Sequence, residues 1–557
     1  MDRLTKPVLL GVTVLLCAVV VPLCATGEPD ALYCAPEAEL LDKHTYLKAL
    51  SLDLRGEGPS LEENDLIALQ DDVPMTWIED WLNSEAFAKQ VARFHRSLLW
   101  NRVTGTRLVP PQVRLHTQHG PFQSPALSNR WRAELLRGVY HAPCLDKPAA
   151  FDPESGELLF EENPVTGAMQ EGWVEVHPYW APDTTVKVCA ADARTTLTAA
   201  DGTSCKSRLG LSRPLCGCGP NLNWCVNDGA YDAISNQLGF AIDVRVEKLI
   251  ENDEPYTHLF LDNHSYMNGP LIHYWRHLAH RYDEIYTDPV PVPAELLPTG
   301  IAFTQSDTWV PVKLGSEHAG VLTSAAYLMR HTSLRRRAVR FTEGLLCQPF
   351  VLPEGALTLK EEGLPDPDVT QRPGCDYCHA ILEPTAQHWG RWAEFGMSYL
   401  SPKTHPPCRP DCQSCATEGG CSTDCLQNYV TQGVLTKELK YLGWLKTYQF
   451  NVDDIILDNI KTVELESKIQ CAPEEVAKTT IDTVYNGPQL LATKAIFDGR
   501  LAGCAARNAV GWLMGREPLP EESAWIQSLA ALFKQSGYDY KTLVKEIVTD
   551  ERYRRVQ

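Results

Sequence analysis

Cys375-Asp376-Tyr377-Cys378-His379 is the stretch of this chain whose residue types and spacing hold the most chemistry. It is the C-x-x-C-H pattern of covalent c-type haem attachment. The thiols of Cys375 and Cys378 can add across the two haem vinyl groups, and His379 can then reach the iron as proximal ligand. The same residues permit two plainer readings, a short-range disulfide or two ligands of a zinc or iron–sulfur site. The other iron face needs a ligand or stays open. His388 lies nine residues beyond His379 and Met397 eighteen, and each is a candidate distal ligand with ordinary packing as its competing account. A Met ligand makes a higher-potential carrier and a His pair a lower one, while an open face admits peroxide or other small ligands. Trp389, Trp392 and Phe395 follow; they can wall a porphyrin and can equally pack a helix. Arg335, Arg336, Arg337 and Arg340 are either partners for haem propionates or a solvated basic face.

A second cysteine constellation, Cys408, Cys412, Cys415, Cys421 and Cys425, has metal-ligand spacing at Cys412 and Cys415. Its odd count and polar filling favour disulfides over zinc or iron–sulfur. Cys216-Gly217-Cys218 has the wrong spacing and no His for haem, and reads as disulfides to Cys205 or Cys225. There is no nucleophile elbow, no H-E-x-x-H, no P-loop and no dinucleotide glycine run. No catalytic residue is assigned.

The compartment is signalled at the N-terminus. Arg3 and Lys6 precede an apolar run from Val8 to Ala25, and small residues follow it. That is a secretory signal over residues 1–27, with an uncleaved anchor as the alternative. Nineteen cysteines in 557 residues suit an oxidising envelope. The net charge of −20 excludes nucleic acid as partner. The expectation is an exported protein, in the periplasm, at the outer membrane or outside the cell, with peripheral membrane attachment left open.

The elements that must position the motif are mainly α. Helical spacing is expected over 35–53, from the capping box at Ser60 and Glu63, and over 76–83 and 86–101, forming an N-terminal helical domain (28–143). Residues 144–228 read as an irregular Cys/Pro-rich insert with short strands near Trp173–Val176 and Thr185–Val188. Helices at 229–252, 267–283, 316–331 and 333–347, the last capped by Ser333, make a middle domain (229–350). A cytochrome-type segment with the Cys-rich loop (351–445) and a C-terminal helical domain (446–557) complete the chain; Trp525, Ile526, Leu529, Leu532 and Phe533 share one helical face there.

With these residues in view, the chain resembles the planctomycete-type cytochrome c proteins, large exported proteins of linked domains with one C-x-x-C-H motif. Leu52-Asp53-Leu54-Arg55-Gly56 with His95-Arg96 is similar to their N-terminal domain, and Tyr266-Met267-Asn268-Gly269-Pro270-Leu271 to their middle domain. Gly320-Val321-Leu322-Thr323, Arg337 and Cys347 leading into the motif are similar to their cytochrome-type domain, and Cys504, Gly515-Arg516 and the ending Thr549-Asp550-Glu551-Arg552-Tyr553-Arg554 to their C-terminal domain. Glu383, Ala386 and Met397 depart from the family pattern. The resemblance implies export and one covalent haem c, and no substrate.

Three functions are then open. The first is an electron-transfer protein of the cell envelope, with a redox protein or an envelope assembly as partner. The second is a haem oxidoreductase or peroxidase with an open iron site. The third is a non-catalytic, disulfide-stapled scaffold or binding protein.

Overall fold

In the computed structural model of the chain, residues 40–103, 108–117, 130–133, 144–279, 294–350, 376–399 and 487–555 are described, apart from positions 165, 166, 206, 208, 214, 215 and 395. The signal segment, Cys375, Phe395 and the Cys408–Cys425 loop lie outside the described residues. The protein is mainly α.

Local sequence explains where the first helices start. The Asp42 carboxylate accepts the backbone N–H groups of His44 and Thr45 at 2.9 and 3.2 Å, opening α1 (Lys43–Arg55). The capping box at Ser60 and Glu63 is present and opens α2 (Leu61–Ala68). Next come α3 (Met75–Leu82) and α4 (Glu85–Leu99), the latter capped by Ser84. The long α5 (Asp228–Glu251) lies against α4. Arg96 of α4 meets the buried Asp243 of α5 at 2.5 Å, and Asn101 donates to the same carboxylate at 2.9 Å.

Between α4 and α5 the chain builds a five-stranded sheet, ordered β5-β6-β2-β1-β7. Its strands are β1 (Arg114–His116), β2 (Arg130–Ala133), β5 (Trp173–Val176), β6 (Val186–Cys189) and β7 (Val226–Asn227); β3 (Glu161–Glu162) and β4 (Met169–Gln170) form a separate pair. The strands expected near 173–176 and 185–188 are there. The sheet also recruits β1 and β2 from the stretch read as all-helical, because β6 pairs on one side with β5 and on the other with β2. Disulfides Cys144–Cys189, Cys205–Cys216 and Cys218–Cys225 staple this region, so Cys216 and Cys218 pair with the two partners expected. Arg132 on β2 is buried with Glu171 at 3.0 Å and Asp192 at 3.7 Å.

Two expected helices differ from the expectation, one at its start and one by a break. The 267–283 helix starts two residues later than expected: Met267 closes β8 (His264–Met267), which pairs with β9 (Val310–Lys313), and Asn268 caps the helix with Pro270 in its first turn. Only then does α7 (Gly269–His273) follow, after the short α6 (His258–Leu261). The 316–331 helix is split into a 3-10 turn, Gly320–Thr323, and α8 (Ala325–Arg330). Gly320 has φ +49° and lies on the Leu259 carbonyl, where a side chain would collide, and Ser324 caps the second piece.

The remaining helices are α9 (Leu334–Leu346), capped by Ser333 as expected, α10 (Asp376–Ala386), α11 (487–497), α12 (Arg500–Leu513), α13 (Ser523–Gln535), α14 (Tyr540–Thr549) and α15 (Glu551–Arg555). The apolar face of α13 is buried at Trp525, Ile526, Leu529 and Phe533. The two ends of the described chain meet. The Tyr46 hydroxyl donates to the Val548 carbonyl at 2.8 Å, and the Leu41 amide donates to Arg554 at 3.0 Å. One hydrophobic core runs from Tyr46 through α5, α9 and Trp389 to Tyr553. A fourth disulfide, Cys347–Cys504, ties the end of α9 to α12 across 157 residues.

Candidate haem-attachment site

The motif's described part sits in the first turn of α10. Leu382 and Ala386, four apart, face the core, while Tyr377 and Ile381 face outward at 59% and 54% exposure. Cys378 and His379 stand half-exposed at the margins of the buried face. Among the described residues eight cysteines are in disulfides, and Cys378 alone is a free thiol. A flat apolar group bonded at Cys378 would find uncovered apolar surface at Tyr377 and Ile381. The residues present therefore fit a tethered porphyrin.

Downstream of α10 the chain is tightly anchored. Gln387–Trp389 continues it as a 3-10 turn. The Trp389 indole N–H donates to the Leu322 carbonyl at 2.9 Å, and its ring stacks on Tyr327 and meets Phe341 edge-on. Trp392 bridges to Tyr399 and takes the His318 ring edge-on at 5.1 Å. Both tryptophans are buried and walled by protein.

Arg337 is neither a propionate partner nor part of a solvated face. It is fully buried and donates to five carbonyl oxygens, those of His331, Trp392, Leu328, Ala393 and Gly396, at 2.7–3.4 Å. Burial lowers its pKa to about 10. It clamps the 392–397 turn onto α9. One signal could have revealed it: Leu334, Arg337, Ala338 and Phe341 share the apolar phase of α9. Arg340 donates to the Leu98 and Ser97 carbonyls and lies over the Trp100 ring, while Arg336 is exposed.

The two distal candidates are both buried. His388 Nδ1 is 2.8 Å from the Gly487 carbonyl oxygen, and burial pushes its pKa down to about 4. Nine residues along a continuous helical path set His379 and His388 on roughly opposite faces. Met397 lies in the turn held by Arg337, within the core. Behind Trp392, His318 lines a cavity of ≈ 50 Å³ with Arg245, Met267 and Trp275. That is room for about four waters, not for a porphyrin.

No family model, curated protein or solved structure matches the chain. Among the described residues no helix is long and apolar enough to cross a membrane, and the four disulfides point to an oxidising, exported environment.

Proposed function

We infer that the chain is an exported, planctomycete-type cytochrome c-like protein that carries one covalent haem c and transfers electrons in the cell envelope. Cys375 and Cys378 would hold the haem and His379 would ligate the iron. The observation that carries this is the state of Cys378. In a chain whose other described cysteines are all oxidised, the motif thiol stands free, half-exposed, next to His379 and beside uncovered Tyr377 and Ile381. When bound, haem supplies one-electron redox chemistry. The chain's own part is to hold α10 rigid through Trp389, Arg337 and His388, and to keep water from its inner face with Leu382 and Ala386.

The test is expression in a host with haem-maturation machinery. Exported protein is expected to show a Soret band and a mass increased by one haem, both lost in the Cys375→Ser/Cys378→Ser variant. A colourless product of unmodified mass refutes the reading.

One observation favours a second reading, an oxidoreductase with an open iron face. His388 lies roughly opposite His379 and its Nδ1 is engaged by Gly487. A high-spin ferric spectrum that shifts with carbon monoxide or peroxide supports this version. An unresponsive low-spin spectrum supports pure electron transfer.

A further inference from the structure

His273 and His277 are four apart where α7 runs into a π-helical turn, Tyr274–Leu278. Such turns are frequent at functional sites. The two imidazoles are in contact, with ring centroids 4.8 Å apart and planes at 48°. His273 is 7% exposed, and its Nε2 is buried without a hydrogen-bond partner. The ring's hydrogen-bond contact is with the backbone of Asn223. Because Nε2 is unpartnered, that carbonyl is served by Nδ1–H, and the lone pair is left on Nε2. Metal-ligating histidines are held in this way, with the far nitrogen donating to a carbonyl. Tyr179 stacks flat on His273 at 3.6 Å, Phe303 meets it edge-on at 5.5 Å, and the Tyr179 hydroxyl is tied to the Cys225 carbonyl at 3.1 Å. The ring is thus fixed before any ligand arrives.

The spacing has a metrical meaning. Nitrogen ligands sit ~2.0–2.1 Å from zinc-like ions, so two imidazoles sharing one ion at a tetrahedral angle have centroids about 5 Å apart. The observed separation is 4.8 Å. The nearby Arg276 guanidinium, donating to the Leu297 and Pro298 carbonyls, opposes a cation. Among the described residues no third His, Cys, Asp or Glu converges here. Hard, carboxylate-seeking ions are therefore disfavoured, and ions at the top of the imidazole series are preferred.

The geometry points to a two-histidine site, His273 with His277, for a first-row divalent cation of the Cu²⁺ and Zn²⁺ class, with water completing the coordination. The site is independent of the haem motif.

The experiment uses the full exported chain carrying Cys375→Ser and Cys378→Ser, so that the motif thiols take no metal, and titrates it with Cu²⁺ alone. The expected result is one equivalent with nitrogen hyperfine structure from two imidazoles in the electron paramagnetic resonance spectrum. His277→Ala, at a half-buried position, is expected to weaken binding by more than ~10-fold, the least that even outer-shell changes cost. His273→Gln is expected to do the same, and exposed His264→Ala to change nothing. Wild-type affinity in His277→Ala, or no stoichiometric Cu²⁺ in the parent, overturns the site.

Discussion

Removing the Cys347–Cys504 bridge, as the double variant Cys347→Ala/Cys504→Ala, tests how the motif-bearing stretch is held. The bridge closes a loop of 157 residues that contains the whole C-x-x-C-H region. In the chain-entropy account a cross-link lowers the entropy of the unfolded chain by an amount that grows with the logarithm of loop length, which for this loop is about 5 kcal/mol at 25 °C. The bridges spanning 11 and 7 residues come to about 2–3 kcal/mol each on the same basis. Native strain and residual unfolded structure usually reduce such values, so a loss of about 3–5 kcal/mol is expected, the largest of any of the four bridges. Packing adds little, since alanine keeps the Cβ of Cys504 in the core and leaves Asn508 donating to the Gly344 carbonyl at 3.0 Å. The assay is urea unfolding of parent and variant. The unfolded variant is less constrained and exposes more surface, so m is expected to rise as the midpoint falls. A loss below ~1 kcal/mol with unchanged m would refute the loop-entropy reasoning.

Two further outcomes are expected. Arg337→Met removes the donors to five buried carbonyl oxygens, each costing about 1–3 kcal/mol when stranded, so the variant is expected to unfold at room temperature or lose more than ~4 kcal/mol. Arg337→Lys, with fewer donors and no planar fork, should restore only part of this by thermal melting; a wild-type melting temperature in either variant contradicts the clamp. Acid should destabilise the fold through buried histidines. Burial pushes His95, His331 and His388 down to about 4 and His318 to about 3. The unfolded chain takes up these protons from about pH 6.5, whereas the folded chain does not until about 4. Stability is therefore full above ~6.5 and is lost as pH falls towards 4, by at most about 3 kcal/mol per group. Urea midpoints that stay flat between pH 7.5 and 5 would contradict this.

Much of the helical frame was legible because it rests on local rules. Ser60 with Glu63 and Ser333 each satisfy orphan N–H groups within one turn, so short windows of sequence reveal them. The failures share one cause, long-range pairing. Met267, expected to open a helix, pairs with Val310 in a strand, and Arg130–Ala133 becomes a strand only because β6 and β1 offer edges to it. Arg337 was misread because an arginine in a run of arginines suggests solvent. Its apolar phase on α9 was the better guide, and carbonyls from a turn some sixty residues away make its burial tolerable. At the candidate site, residue types identified Cys378 and His379 as neighbours. Spacing alone could not tell that His388 turns to Gly487, since that depends on how α10 meets α11.

The anchors of α10 have a consequence for how function and fold are related here. In a small cytochrome the porphyrin is much of the core. In this chain the motif helix is held by the Trp389 indole on Leu322, by Arg337 on the 392–397 turn and by His388 on Gly487, and none of these contacts uses Cys378 or His379. A tethered haem would therefore be added to a finished scaffold, against the uncovered face of Tyr377 and Ile381, and not serve as its centre. Such an arrangement leaves the potential of the group to be set by what lies beside that face. The stapled sheet and the His273–His277 pair are held by contacts of their own, separate from those that anchor α10.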